Sequence, residues 1–474
     1  MSYCGYVTTL KNVRPHPNAD RMKLADCFGN TVCVGLDSAE GEIGVYFPVD
    51  GQLSVEFCQA HDLVRRKDEN GNAAGGYLDP DKRNIKAVKL RGEKSDGLFM
   101  PISCLVFTGV NLDEINVGDT VTIINGVEIC RKYIPRGNRG GASGGSGNRT
   151  RKHKDPIAPQ FAEHADTEQL AYNLSAFKPG DEIEISLKMH GTSQRTGYLP
   201  KLVSYADSWS CRVGNAFRHV LNKMGVYHGE DKHDGEPVYE YGYVTGTRRV
   251  VLDDFDGGFY GSNEFREQHA KKFEGKLWKG ETVYYEVVGF THTGQSIMGS
   301  CNNKKLNDKE FVKQYGEETI FSYGCEPEGK IGVGIAERSV PQSDMYVYRM
   351  TCTTPDGNVV EYTPDFMRYR CELMGVKTVP VFEKFIIPEY VIEDNHITRD
   401  LSTTAGEYVK EQAEEYYEGV DPVGKTHIRE GVVVRIINRP KFTAYKHKNF
   451  AFKVLEGIIK DTAAAPDIEE AQEV

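Results

Sequence analysis

Residues 135–156, PRGNRGGASGGSGNRTRKHKDP, are built from Gly, Ser, Asn and cationic side chains and hold almost nothing apolar to bury. Such a segment cannot join a packed core, so it divides the chain into units that must each bury a core of their own. The division predicts a small unit over 1–134, a linker over 135–156, a large unit over 157–460 and an acidic tail over 461–474, where DIEEAQEV ends the chain. The linker has two readings. It is a plain spacer, or it is a basic arm in which Arg136, Arg139, Arg149, Arg151, Lys152 and Lys154 hold a phosphate backbone.

The first unit carries short apolar or alternating runs separated by turn signals: TVCVGLD, IGVYFPVDG, IKAVKLRG, GLFMPI and DTVTII. Runs of that length predict a small β-barrel or sandwich. The second unit mixes strands and helices without a regular βαβ alternation, which predicts an α+β fold. DEIEISLKMHG, TVYYEVVGF, MYVYRMT and REGVVVRII read as strands, and SNEFREQHAKKFEGKL, PDFMRYRCELMG and AGEYVKEQAEEYYEG as helices. Composition narrows the class further. No run approaches the ~18 apolar residues of a membrane span, and the N-terminus lacks the features of a secretion signal. The 11 cysteines include no CxxC pair, against a disulfide framework or a cysteine zinc site. A cytoplasmic protein is expected. A formal net charge of −11 disfavours nucleic acid for the chain as a whole, but nucleic acid responds to local patches.

The chemistry is expected around Lys188, in SLKMHGTSQR, at the end of an alternating strand and just before a turn. Its Gly191 would let the backbone pass close to a ligand. A lysine attacks phosphorus only as the free amine, so a nucleophilic lysine needs burial or nearby cations to shed its proton. Taken alone this motif is weak, and a solvated surface lysine explains it as well. Companions strengthen it. Glu286 lies mid-strand in TVYYEVVGF, Arg248 follows a Gly-Thr turn in YGYVTGTRRVVL, and Tyr346 and Tyr348 alternate in MYVYRMT. Glu430 heads the strand of REGVVVRI, and Lys446, Lys448 and Lys453 lie in AYKHKNFAFK.

This ordered set resembles the covalent nucleotidyltransferase superfamily of ATP-dependent polynucleotide ligases and capping enzymes. With HPNADRMKLADC and KLRGEKSDGLFM resembling tRNA-binding-type OB domains ahead of it, the layout is most similar to the RNA ligase 5 family (Deinococcus and Naegleria type). The resemblance implies an α+β chain: an N-terminal OB-type β-barrel, then a nucleotidyltransferase (ATP-grasp-like ligase adenylation) domain of antiparallel sheets flanked by helices. It implies that Lys188 forms lysyl-AMP, that His190 and Gly191 complete its motif, and that Glu286 touches ribose hydroxyls. His190 stands where many relatives carry Asp or Asn. Tyr348 would stack on adenine, with Tyr346 the alternative on the same side of the strand. Glu430 would engage Mg²⁺ or Mn²⁺, and Lys446 and Lys448 the α-phosphate, with Lys453 as competitor or helper. Arg248 would contact the sugar or the RNA end, with Arg195 and Arg212 competing. If Arg248 holds that role, most of residues 198–243 form an insertion.

The implied activity joins RNA 3′-OH and 5′-phosphate ends through lysyl-AMP and RNA-adenylate intermediates, sealing nicks in duplexes with an RNA 3′-OH strand. The implied cofactors are ATP and Mg²⁺ or Mn²⁺. The implied partner is RNA or an RNA-containing duplex with those ends, the protein being a monomer that uses no membrane. The alternatives are a GTP-dependent capping guanylyltransferase or a DNA ligase, which usually place an OB domain after the catalytic one, and a non-catalytic tRNA-binding or RNA-binding OB protein, which would not need Lys188, Glu286 and Glu430 together.

Overall fold

A computed structural model of the chain describes residues 3–67, 73–134, 157–165, 167–226, 231–248, 250–252, 255, 260, 262–329, 340–394 and 396–461. Arg136, Arg139, Arg149 and Arg151 lie outside these residues, as do Lys152, Lys154 and 462–474.

The first unit buries two apolar clusters, one that includes Val7, Val45, Phe47, Leu53, Phe57 and Leu105 and one that includes Leu10, Ala25, Val32, Tyr46 and Phe99. Strands Gly5–Thr9, Ile43–Phe47, Leu98–Pro101 and Thr120–Val121 make a four-stranded sheet, and Lys11–Pro15, Lys23–Cys27 and Asn30–Val34 a three-stranded one. Among the described residues the strand pairing does not close into a barrel.

The second unit is α+β, as expected, and is built on two mainly antiparallel sheets. The five-stranded sheet runs in the order Glu168–Gln169, Thr443–Lys448, Gly431–Ile436, Glu182–Lys188, Val381–Ile386. The period-2 pattern explains its two faces. Ile183, Ile185 and Leu187 point into apolar clusters, while Glu184, Ser186 and Lys188 point the other way. The seven-stranded sheet has Thr192–Tyr205 and Glu281–Gly289 at its centre, flanked by Pro237–Gly246 and Ser343–Thr353. The chain leaves the first sheet at Lys188 and enters the second at Thr192, so Met189–Gly191 is the crossing between them.

The three helices expected in this unit form. Helix Pro364–Met374 is bounded by local chemistry: Thr363 accepts a hydrogen bond from the Phe366 N–H at 3.3 Å, Pro364 opens the first turn, and Gly375 closes the helix at φ 69°. Helix Ala405–Glu414 covers the inner face of the five-stranded sheet through Ala405, Val409 and Ala413. Helix Glu264–Lys271 stops before the end of the expected run, which turns repeatedly over Lys272–Leu277. No helix among the described residues is long and apolar enough to cross a membrane.

The two units are docked. Tyr172 of the second inserts its ring among Tyr6, Phe28 and Tyr46 of the first, at centroid distances of 4.6, 5.2 and 6.2 Å. Lys453 Nζ lies 2.5 Å from Asp96 Oδ2, and Lys89 Nζ 2.5 Å from Asp308 Oδ2.

Candidate active site

The ends of three neighbouring strands set the centre. Lys188 is in register with Gly431, and Gly431 with Lys448, so the two lysines flank the residue that follows Glu430. Lys188 Nζ lies 2.8 Å and Lys448 Nζ 3.0 Å from Glu430 Oε1, and the glutamate is 1% exposed. Gly431 makes this junction fit: its φ is 150°, and a Cβ would sit 2.1 Å from the His447 carbonyl oxygen. Burial alone would raise the Glu430 pKa. The Lys188 and Lys448 ammoniums and His190 overcome it and hold the carboxyl well below its usual range. Glu430 Oε2 accepts no hydrogen bond, and His190 Nδ1 is 3.6 Å from it.

Lys448 is held from a second side by Glu456, whose Oε2 is 2.9 Å away. Burial opposes its charge, but Glu456, Glu430 and Asp50 of the first unit together raise its pKa well above the ordinary lysine value. Lys446, two residues earlier on the same strand face, has the opposite surroundings. Burial, then the charges of Lys448, Lys188, Lys132 and Arg248, lower its pKa to about 8. Two lysines at i and i+2 are thus tuned apart, one fixed as a cation and one that gives up its proton more readily.

The crossing after Lys188 is pinned by both backbone amides. The His190 N–H donates to the Tyr323 hydroxyl at 2.6 Å, and the Gly191 N–H to Glu286 Oε1 at 3.1 Å. A Cβ on Gly191 would meet the Val287 carbonyl oxygen at 2.4 Å, so only glycine allows the two sheets to approach here. The His190 ring is wedged edge-on between Phe321 and Phe452, with centroids at 4.6 and 4.9 Å. Glu286 is therefore a holder of the motif turn as well as a ribose candidate.

Tyr348 and Tyr346 have parted. Strand pairing jumps from Val347 opposite Tyr285 to Arg349 opposite Tyr284, leaving Tyr348 in a β-bulge. Tyr346 is buried at 6% exposure in the apolar cluster with Leu187, Met189 and Phe321. Tyr348 stays half-exposed, its hydroxyl 3.0 Å from Ser193 Oγ and its ring edge-on to His164 at 5.0 Å. The polar faces of the two sheets meet beyond it, where Glu361 bridges Arg349 and Arg435 at 3.0 Å each.

The arginine candidates separate in the same way. Arg248 is half-buried and close enough to bear on Lys446. Arg195 is core: it is 1% exposed, donates to the Phe161 carbonyl at 3.1 Å and stacks on the Phe161 ring. Arg212 lies on a helix, Trp209–Lys223, carried between strands Thr192–Tyr205 and Pro237–Gly246. Lys453 is engaged by Asp96, so it serves the junction of the two units. Tyr323, Ser193, Asp50, Lys132 and Glu456 carry no local signal in the sequence. They reach the site through long-range pairing and the docking of the first unit.

No family model matches the chain, and no curated protein matches it in sequence. Solved structures do match it in shape. A mutant of the Naegleria gruberi RNA ligase with ATP and Mn superposes with a TM-score of 0.51 at 16% identity, covering 95% of this chain and 97% of that one. A second mutant of that ligase, with AMP and Mn, gives the same four values. The ligase with PPi gives a TM-score of 0.50 at 16% identity, over 94% of this chain and 97% of that one. Over nearly its whole length, this chain has the fold of the Naegleria gruberi RNA ligase.

Proposed function

We propose that the chain is an ATP-dependent RNA ligase in which Lys188 takes AMP covalently. The observation that carries this reading is the row Lys188–Glu430–Lys448, two partly exposed lysines on one buried carboxylate at the strand ends where the chain crosses between the two sheets. A fold shared with a ligase solved with ATP, AMP, PPi and Mn supports it.

In the first step the free amine of Lys188 attacks the α-phosphorus of ATP. An N–P bond forms, the bond from the α-phosphorus to the bridging oxygen breaks, and pyrophosphate leaves. Lys448 is a fixed positive charge beside the nucleophile, joined below about pH 8 by the charge of Lys446, on which Arg248 also bears, and such charges stabilise the build-up of negative charge at phosphorus. Tyr348, half-exposed in its bulge, offers a ring for the adenine, and Glu286 a carboxylate for the ribose. In the second step an RNA 5′-phosphate oxygen displaces Lys188 from the AMP. In the third a 3′-OH displaces AMP and closes the strand, chiefly by positioning.

The donor set fits a hard divalent cation, because Glu430 Oε2 is a buried carboxylate oxygen without a hydrogen bond. Mg²⁺ or Mn²⁺ held there by Glu430 would supply charge neutralisation at the phosphate oxygens. We read the first unit as an OB-type domain that grips RNA together with Arg136, Arg139, Arg149 and Arg151, the substrate as a nicked duplex with an RNA 3′-OH strand, and the protein as a cytoplasmic monomer.

The test is incubation with α-labelled ATP and Mg²⁺ or Mn²⁺, denaturation, and detection of label on the polypeptide. Label from ATP, absent with GTP and lost in Lys188→Ala, is the expected result. No label from any nucleotide, with protein not already adenylated, would sink the reading and favour a non-catalytic RNA-binding protein.

A further inference from the structure

Helix Trp209–Lys223 faces the wrong way for a helix that only packs on its own fold. Its polar arc is turned inward: Asn215 is its buried residue, donating to the Lys232 carbonyl at 2.7 Å and accepting from the Lys232 N–H at 3.1 Å. Its apolar arc is turned to solvent. Trp209, Val213, Phe217, Val220 and Met224 recur at helical spacing on one stripe, with exposures of 80, 49, 64, 53 and 66%. Arg212, His219 and Lys223 run along one edge of that stripe, whereas Ser210, Gly214 and Leu221 form the other. His219 is paired with Asp231 at 3.2 Å, but among the described residues neither Arg212 nor Lys223 has an ion-pair partner. The helix itself contains no acidic residue. An exposed apolar stripe of this extent marks a binding surface.

We propose that this stripe docks a single-stranded segment of RNA, with phosphates along the Arg212–Lys223 edge and bases over Trp209 and Phe217. The proposal rests on the RNA ligase reading and extends it to a single-stranded flank of the nicked-duplex substrate. Charge complementarity and the one-sided edge choose the occupant. A polyanion with unpaired bases presents phosphates on one side and π faces on the other, and a helix with cations on one side and rings on the other matches it. A duplex would hide its bases and leave the stripe idle. A bilayer would draw cations to both edges of an amphipathic helix. Antiparallel pairing of two copies would set the basic edges against each other. Trp209 and Phe217 are eight residues apart, about 12 Å along the axis, a gap that roughly three bases fill at about 3.4 Å each.

The placement suits a substrate flank. Strand Thr192–Tyr205 starts next to Gly191 and runs about 40 Å from that turn toward the helix at ~3.3 Å per residue. At about 3.4 Å per nucleotide that is roughly a dozen nucleotides of RNA.

The test is fluorescence anisotropy of the full chain with a labelled 20-nucleotide oligo(U) and with a blunt 20-base-pair RNA duplex, alongside labelling with α-labelled ATP. The double variant Trp209→Ala/Phe217→Ala should bind oligo(U) at least about tenfold more weakly, bind the duplex as the parent does, and take up label as the parent does. Because these side chains are exposed the variant is expected to fold, and circular dichroism checks it. Arg212→Glu/Lys223→Glu should weaken oligo(U) binding independently and flatten its salt dependence. Unchanged oligo(U) affinity in both double variants overturns the proposal. So does a Trp209-dependent blue shift with phosphatidylserine vesicles and not with oligo(U), which assigns the stripe to a bilayer. A dimer in sedimentation that the Trp209 variant dissociates, with RNA binding intact, assigns it to a second copy. Absence of label in the parent would defeat the ligase reading alone, since oligo(U) binding is read separately.

Discussion

Lys188 Nζ lies 2.8 Å from Glu430 Oε1, the lysine ending one strand and the glutamate preceding the next, and the glutamate is 1% exposed. Glu430 is also 3.0 Å from Lys448, so one buried carboxylate is shared by two ammoniums, the second of which also meets Glu456. Its removal leaves both cations crowded and partly desolvated. Glu430→Gln should therefore destabilise the fold by about 3 kcal/mol and lower label transfer from ATP by at least about a hundredfold. Thermal melting and the labelling assay read the two effects. A melting point equal to the parent's would show that the ion pairs do not organise the site.

Tyr348 offers a ring from a β-bulge, and its hydroxyl meets Ser193 Oγ at 3.0 Å. Tyr348→Phe keeps the ring and should change the ATP KM about threefold or less. Tyr348→Ala should raise it about tenfold or more, from loss of base stacking at about 1–3 kcal/mol. Equal effects of the two substitutions would assign the side chain to the Ser193 contact instead.

Lys446 should give nucleotide binding a pH dependence. Its pKa in the free protein is lowered to about 8, so its charge is present below that pH and lost above it. ATP affinity should be greatest below pH 8 and fall as the pH rises through it. Lys446→Arg keeps the charge and should flatten the profile. Equilibrium ATP binding between pH 7 and pH 9.5 measures this. The same shift bears on stability. Between about 8 and the ordinary value of 10.5 the unfolded chain binds more protons than the folded one. The residue's cost to stability is thus present below pH 8 and fades as the pH rises.

Lys453 and Asp96 join the two units at 2.5 Å, with side-chain exposures of 12 and 7%. Lys453→Ala should cost about 3 kcal/mol by leaving the aspartate unpaired, and label transfer by the folded fraction should stay within a few-fold of the parent. The double variant Asp96→Ala/Lys453→Ala should recover part of the loss in a thermodynamic cycle. Strictly additive losses would mean that the pair is not coupled.

The order of elements in the second unit was readable because the signals are local. Alternation in DEIEISLKMHG and REGVVVRII gave the strands that carry Lys188 and Glu430, and Thr363, Pro364 and Gly375 bounded a helix by their own backbone chemistry. The choice between Tyr346 and Tyr348 was not readable. It turns on a bulge, and a bulge depends on how two strands are paired rather than on either strand alone. The same holds for Arg195, a competitor to Arg248 in the sequence, whose burial under Phe161 depends on contacts far along the chain.

The sequence by itself determined which residues stand at strand ends and turns, because side-chain alternation, glycine and capping act within a few residues. Lys188, Gly191, Glu286, Glu430, Lys446 and Lys448 were named by the order of their motifs, through the family that order resembles. Only the tertiary structure decided what those groups experience. The ion pairs of Glu430, the contrast between Lys446 and Lys448, the reach of Asp50 and Lys132 into the site, and the outward stripe of Trp209 and Phe217 all depend on distance and burial, which are set by contacts far apart in the chain.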